Sequence, residues 1–195
     1  MDILAEALHR LSHLLTEAQR RHIPDANAAA LATVDAFSRP SVRTIYILLG
    51  DAGELVFFTH RESGKAHQLS TNPNVGLMFY WPALATQVVI DAEATVAHDK
   101  LAQSCWRKRP HDSQLAAWVS RQSSPTGDRR LSASRLTRQR QAFDFQPVPL
   151  PRNWQAFELL PRRMEFWEGG WQRLQTRVAY VRQNGGTWTR ERYEP

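Results

Sequence analysis

AAALATVDAFSRPSVRTIYILLGDAGELVFFTH, residues 28–60, is the stretch whose reading decides the fold. Three runs rich in β-branched and aromatic residues, 28–36, 41–49 and 54–60, are separated by the turn-forming segments FSRP and GDAGE and predict a meander of antiparallel strands. Downstream, SGKAHQLSTNPN predicts a short helix capped by Ser63 and stopped at Asn72-Pro73, and VGLMFYW and TQVVIDAEATVA resume strand character. Five strands in succession joined by tight turns predict a barrel. Upstream, Ile3, Leu4, Ala7, Leu8, Leu11, Leu14, Leu15 and Ala18 recur at helical spacing and mark one amphipathic helix. From His98 to about Phe145 the periodicity is helical, broken at Arg109-Pro110 and Ser124-Pro125. Beyond the Pro-rich connector PVPLPRN, the runs QAFELL, RMEFWE, RLQTRVAYVR and TWTRERY are strand-like, with Asn184-Gly185-Gly186 as a hairpin turn. The expected architecture is mainly β with helices laid over a barrel. It forms one domain over 1–195: an N-terminal helix in 1–22, the first barrel strands in 28–97, a helical segment in 98–145 and C-terminal strands in 152–195.

The composition, 42% hydrophobic and 23% charged, is that of a globular chain, and no run approaches the roughly 18 apolar residues of a membrane span. Asp2 and Glu6 disagree with the basic-then-apolar layout of a secretory signal. The single cysteine, Cys105, excludes an intrachain disulfide, so a reducing, cytoplasmic setting is expected. An excess of 25 Lys+Arg over 19 Asp+Glu, mostly arginine, favours a small phosphorylated or acidic ligand, because the guanidinium fork binds such groups bidentately. His9 and His13 have metal-ligand spacing but no third ligand nearby in sequence, so they are read as surface histidines and no metal site is expected. RRLSASRLTRQR, residues 129–140, is the densest basic segment. Its charges spread around a helix without an RNA-binding aromatic motif or zinc finger, so a nucleic-acid partner is not expected.

Three segments place polar, Gly or Trp residues where a plain barrel needs ordinary strand or turn residues. In 59–67 a strand ending in Thr59 runs into a helix start bearing Ser63 and Lys65, which offers free backbone N–H groups and a cation to a phosphate. In 109–124 the apolar residues describe one helical face and leave Gln122 and Ser123 at its end. In 165–177 strand alternation puts Arg173, Gln175 and Arg177 on one face, and two like charges there call for an anion or an electron-rich group between them.

Together these segments resemble the pyridoxine (pyridoxamine) 5′-phosphate oxidase family, in order from about Ala28 to Pro195. The patterns R-P-x-D-S-Q-x-x-A-W-x-S-x-Q-S-S, from Arg109, and E-F-W-x-G-G-x-x-R-L-x-x-R, from Glu165, are long and specific. The resemblance implies a split β-barrel homodimer with FMN at the subunit interface. It also implies hydride transfer from the carbon bearing the amine or alcohol of a vitamin B6 phosphate to the flavin, with reoxidation by oxygen. The residues it implies for FMN are Arg43, Lys65 and Ser123 near the ribityl phosphate, with Phe58, Thr59, Gln87 and Gln122, and Trp167 and Arg177 from the neighbouring subunit; Ser63 joins them as a cofactor candidate from the helix start at 59–67. Where the family commonly has an arginine before the lysine, this chain has Gly64.

On the substrate side the resemblance implies Arg109, Ser113 and Arg173 as anion-binding residues, with Arg173 and Gln175 at the reacting carbon. The family's phosphate-binding Lys and Tyr positions read Leu48 and Cys105, and its hairpin His position reads Gln175, which does not titrate near neutral pH. Arg107 or Lys108 is left as a replacement cation. The readings therefore run from an FMN-dependent oxidase of a small anionic amine or alcohol, to a related flavoenzyme on another substrate such as the phenazine-pathway oxidases, to a flavin-binding protein without turnover.

Overall fold

The computed structural model describes residues 2–120, 122–123, 129–144, 146–170 and 175–194. Its strands are β1 (Ala28–Val34), β2 (Pro40–Tyr46), β3 (Leu48–Leu49), β4 (Leu55–His60), β5 (Asn74–Trp81), β6 (Thr86–Val96), β7 (Trp154–Glu168), β8 (Thr176–Arg182) and β9 (Trp188–Tyr193). The helices are α1 (Ile3–Arg20), α2 (Gly64–Thr71), α3 (Asp99–Lys108), α4 (His111–Val119) and α5 (Arg129–Ala142). All strand pairs are antiparallel, in the order β2-β1-β5-β6-β7-β4-β3, with β8 on β7 and β9 on β8.

The branch in that order makes the barrel a split one. QAFELL and RMEFWE, read as separate runs, form the single strand β7; its first half pairs with β4 (Trp154–Leu159) and its second half with β8 (Arg163–Glu168) on the same edge. The change of partner falls across Pro161, which has no N–H to give a ladder, and the register against β6 shifts between Asp91 and Ala92.

The expected meander holds in full for its first hairpin and only at Leu48–Leu49 for its second. Residues 54–60 pair with β7, and residues 41–49 are divided at Ile47. Asn27 takes the Ile47 backbone from both sides: its carbonyl accepts from Ile47 N at 2.9 Å and its Nδ2 donates to the Ile47 carbonyl at 3.0 Å. This clamp ends β2 and leaves only Leu48–Leu49 to pair with β4. Every residue of β4 is buried, as suits a strand covered on both faces.

Alternation along β4 divides the core. Phe57 points into the barrel with Leu31, Leu77, Phe79, Ile90 and Phe166, closed on one side by Leu11 and Leu15 of α1. Val56 and Phe58 point the other way, into a second cluster with Leu101, Cys105, Trp106, Leu115 and Trp154 beneath α3 and α4. The opposite, outward face of β2 and β5 exposes Val42, Tyr46, Met78 and Tyr80. Among the described residues no helix is long and apolar enough to cross a membrane.

Candidate functional site

Where β4 gives way to α2, Ser63 caps the helix by accepting from Ala66 N, and the first-turn amides of α2 have no intrahelical acceptor. Thr59 and Ser63 are fully buried, with their hydroxyl oxygens 2.9 Å apart. Thr59 donates to Gln122 Oε1 at 2.7 Å, and Lys65 Nζ donates to Thr59 Oγ1 at 3.1 Å and to Gln122 Oε1 at 3.3 Å. Gln122, 57 residues after Lys65 in the chain, also accepts from His60 N at 3.1 Å. One amide oxygen thus ties together the end of β4, the start of α2 and the segment after α4.

Arg43 approaches the same end of the barrel from β2. Its Nη1 donates to Thr33 Oγ1 at 2.5 Å and to the Leu31 carbonyl at 3.3 Å, and its Nη2 donates to Gln68 Oε1 at 3.2 Å. Thr33 donates to Gln68 Oε1 at 2.5 Å, and Gln68 Nε2 donates to Ser41 Oγ at 3.2 Å. Burial, and then the charge of Arg43, pushes the Lys65 ammonium down to about 8, and burial lowers Arg43 as well. Every partner of these two cations among the described residues is neutral.

Phe58, adjacent to Thr59, faces the other side of the strand, so its ring belongs to a different group. It meets Trp106 edge-on at 5.5 Å, and the Arg109 guanidinium lies 5.2 Å from its centroid. Arg109 also lies 5.3 Å from the Trp106 ring and 5.7 Å from the Trp154 ring, and its Nε is buried without a hydrogen-bond partner. Burial pushes Arg109 down to about 10, which leaves it charged at neutral pH. Ser113 is half-buried in the first turn of α4. Lys108, a candidate replacement cation, is engaged elsewhere: its Nζ is 2.8 Å from Asp51 Oδ1 and 2.9 Å from the Leu49 carbonyl. Cys105 is fully buried, and burial raises its thiol, so it packs rather than reacts.

A third group forms a row across four strands. Tyr80, Gln87, Trp167 and Arg177 are successive cross-strand partners on β5, β6, β7 and β8 and therefore share the outward face. Trp167 Nε1 donates to Gln175 Oε1 at 2.9 Å, which occupies the Gln175 oxygen; among the described residues its NH2 has no hydrogen-bond partner. Arg177 Nε donates to Glu165 Oε1 at 2.8 Å, and Arg163 pairs with the same carboxylate. The like-charge argument for a ligand therefore does not apply to Arg177. Its counter-charge is the diagonal neighbour Glu165, whose carboxyl is held below the usual range by Arg177 and then by Arg163. A cavity of about 550 Å³ borders the row, lined in part by Arg10, Glu168, Gln175, Arg177 and Arg190.

The structure thus brings Arg43, Thr59, Ser63, Lys65 and Gln122 together, with Ser123 next to Gln122 in a left-handed conformation at φ 69°. It sets Gln87, Trp167, Gln175 and Arg177 on a different face, and Arg109 in a third place. Arg173 lies outside the described residues. Thr33 and Gln68, which hold Arg43, were missed in the sequence. Gln68 stands one helical turn after Lys65, a spacing that carried the signal, whereas Thr33 reaches the site only through sheet pairing. The cage of Trp106 and Trp154 around Arg109 also had no local signal. Gly64 faces open space, so nothing in the packing there requires a glycine.

A family model described as pyridoxamine 5′-phosphate oxidase matches residues 15–142, and one described as the pyridoxine 5′-phosphate oxidase C-terminal dimerisation region matches residues 154–195. The chain is 40% identical over 181 residues to the pyridoxine/pyridoxamine 5′-phosphate oxidase of Anaeromyxobacter dehalogenans, covering 93% of this chain and 91% of that protein. It is 37% identical to the enzyme of that name from an Enterobacter species, covering 100% of this chain and 88% of the other. Among solved structures, PhzG from Burkholderia lata in complex with tetrahydrophenazine-1-carboxylic acid superposes with a TM-score of 0.84 at 24% identity, over 96% of this chain and 91% of that one. A pyridoxamine 5′-phosphate oxidase-related, FMN-binding protein from Nostoc punctiforme superposes with a TM-score of 0.77 at 20% identity, over 96% of both chains.

Proposed function

Because this chain belongs to the pyridoxine/pyridoxamine 5′-phosphate oxidase family, we propose that it is an FMN-dependent oxidoreductase that takes a hydride from a small anionic amine or alcohol and passes the electrons to oxygen. One observation carries the cofactor reading: among the described residues Lys65 and Arg43 are cations with neutral partners only, and the first backbone amides of α2 lie beside Lys65. A phosphate dianion supplies the missing charge and accepts those donors. FMN, when bound there, supplies a hydride-accepting ring. Thr59, Ser63, Gln122 and Ser123 shape the phosphate end, and Phe58 has only its backbone to offer on that side.

Gln87, Trp167, Gln175 and Arg177 face away from this cluster, on the outward face shared with Val42, Met78 and Tyr80. That separation supports a homodimer in which Trp167 and Arg177 of one copy complete the flavin site of the other. Arg109, Ser113 and Arg173 are assigned to the substrate anion, and Gln175, whose NH2 is able to donate, orients the substrate without holding a proton.

Purified protein is expected to bind one FMN per chain. Flavin reduced without oxygen should be reoxidised on admitting air, with one hydrogen peroxide released per flavin. Protein that takes up no FMN overturns the reading; FMN that is bound but reoxidises slowly and without peroxide removes oxygen as the acceptor. Gln68→Leu should weaken FMN binding about tenfold while leaving riboflavin, which lacks the phosphate, nearly unchanged, because losing one hydrogen bond to a charged group costs roughly 1.5 kcal/mol. Equal losses for both flavins would show that Gln68 acts on the fold rather than on Arg43.

A further inference from the structure

We infer that Glu165 is a positioning residue of the flavin site, one that holds Arg177 in place and sets how much positive charge the cofactor meets; this rests on the reading that Arg177 of one copy completes the flavin site of the other. Glu165 stands two residues before Trp167 on β7, so the two share the outward face, and Arg177 on β8 is its diagonal neighbour. Arg177 Nε donates to Glu165 Oε1 at 2.8 Å and its Nη2 to Glu165 Oε2 at 3.2 Å, a two-point hold that fixes the plane of the guanidinium. Its Nη1 donates to the Glu194 carbonyl at 3.2 Å. Each Nη carries a second N–H, and among the described residues neither of these has a hydrogen-bond partner. The side chain that offers them borders the cavity beside Gln175.

Stability alone is a weak reason for a buried carboxylate, because apolar residues of similar volume in place of a whole ion pair serve a fold as well. The cross-strand neighbours of Glu165, Val89 and Ala179, are themselves apolar. What a carboxylate supplies at this position, and an apolar side chain does not, is an orientation for Arg177 and a charge opposite to it. Arg163 shares the same carboxylate. Other charges stand around the group. Glu191 accepts from the Tyr193 hydroxyl at 2.6 Å, the Tyr193 ring lies 5.7 Å from both guanidinium centres, and Asp91 is opposite Arg163 on β6. Substitutions at 163 and 165 change the charge by single steps against that constant surround.

Two electrons and one proton taken up by FMN add one negative charge to its ring system, so a cation beside the ring favours the reduced form and a carboxylate behind that cation offsets the preference. At ~10 Å and an effective dielectric of ~20, one unit of charge is equivalent to about a tenfold ratio.

The test is anaerobic redox titration of the FMN-loaded protein against a reference dye at pH 7, with FMN content measured on every sample. Glu165→Gln keeps the shape and an acceptor but removes the charge, and should favour reduced over oxidised flavin about tenfold more than the parent chain does, a rise of about 30 mV for a two-electron couple. Arg163→Gln should move the potential the opposite way. The double variant Arg163→Gln/Glu165→Gln restores the charge of the parent and should return the potential close to the parent's value, whereas a purely structural role makes it depart furthest. An unmoved potential in Glu165→Gln overturns the inference and leaves FMN binding standing, as does a double variant displaced as far as Glu165→Gln. Should Glu165→Gln fail to hold FMN, Arg163→Gln decides: an unmoved potential there overturns the inference equally. Parent protein that takes up no FMN loses the function reading and this inference with it.

Discussion

Lys65→Met is expected to weaken FMN binding by about 10- to 150-fold, the equivalent of one hydrogen bond to a charged group at roughly 1.5 to 3 kcal/mol. The ammonium is nearly buried, and its partners Thr59 and Gln122 are neutral, so its charge is left for the ligand. The same geometry makes the affinity depend on pH. In the ligand-free fold burial pushes Lys65 down to about 8 from its ordinary 10.5. Between those values the unfolded chain holds a proton that the folded chain has released, so stability rises with pH across that window, and below it the fold bears the cost of the buried charge. A bound phosphate favours the ammonium, so above about pH 8 FMN binding must take up a proton. The Kd should then rise by up to about tenfold per pH unit until the pKa of the bound form is reached. Quenching of flavin fluorescence followed from about pH 7 to 9.5 measures this. Lys65→Arg should keep the affinity and flatten the curve, since a guanidinium stays charged throughout. A Kd of the unaltered chain that does not move over that range would count against Lys65 as a phosphate ligand.

Glu165→Ala should cost about 3 kcal/mol of folding stability. Glu165 is 7% exposed and is the shared counter-charge of Arg163 and Arg177. Removing one partner of a buried ion pair costs roughly 3 to 5 kcal/mol, and the lower end applies because both guanidinium groups reach solvent. Its carboxyl is held below the ordinary range by Arg177, so its contribution is complete above the unfolded value, near 4.5, and is lost as pH falls through the folded value. Urea midpoints at pH 7 and near pH 4 should therefore separate the variant from the parent chain more at the higher pH. Glu165→Gln keeps an acceptor and should recover part of the loss. Equal midpoints for Glu165→Ala and the parent at pH 7 would mean the two arginines find other partners.

Much of the local structure was legible because it is written in neighbouring residues. The apolar stripe of α1, the Ser63 cap, the Asn72-Pro73 stop and the Asn184-Gly185-Gly186 turn each depend on contacts within a few positions. The strand pairing was less so. Residues 54–60 read as the third strand of a meander, and one edge does pair with Leu48–Leu49, but the other edge pairs with a segment about 100 positions later, which no local pattern announces. Alternation located the two faces of β4 but not what covers them.

By itself the sequence determined that there is a strand-to-helix junction carrying Thr59, Ser63 and Lys65, that Gln122 and Ser123 end a helical segment, and, through two long motifs, which family these segments resemble. The tertiary structure alone decided that Gln122 closes on Lys65, that Thr33 and Gln68 hold Arg43, that Glu165 neutralises Arg177, and that Lys108 is spent on Asp51. The physical reason is common to all four. A charge is either compensated or left for a ligand according to what lies within hydrogen-bond reach, and for these groups that reach is set by sheet register and by how helices dock on the barrel.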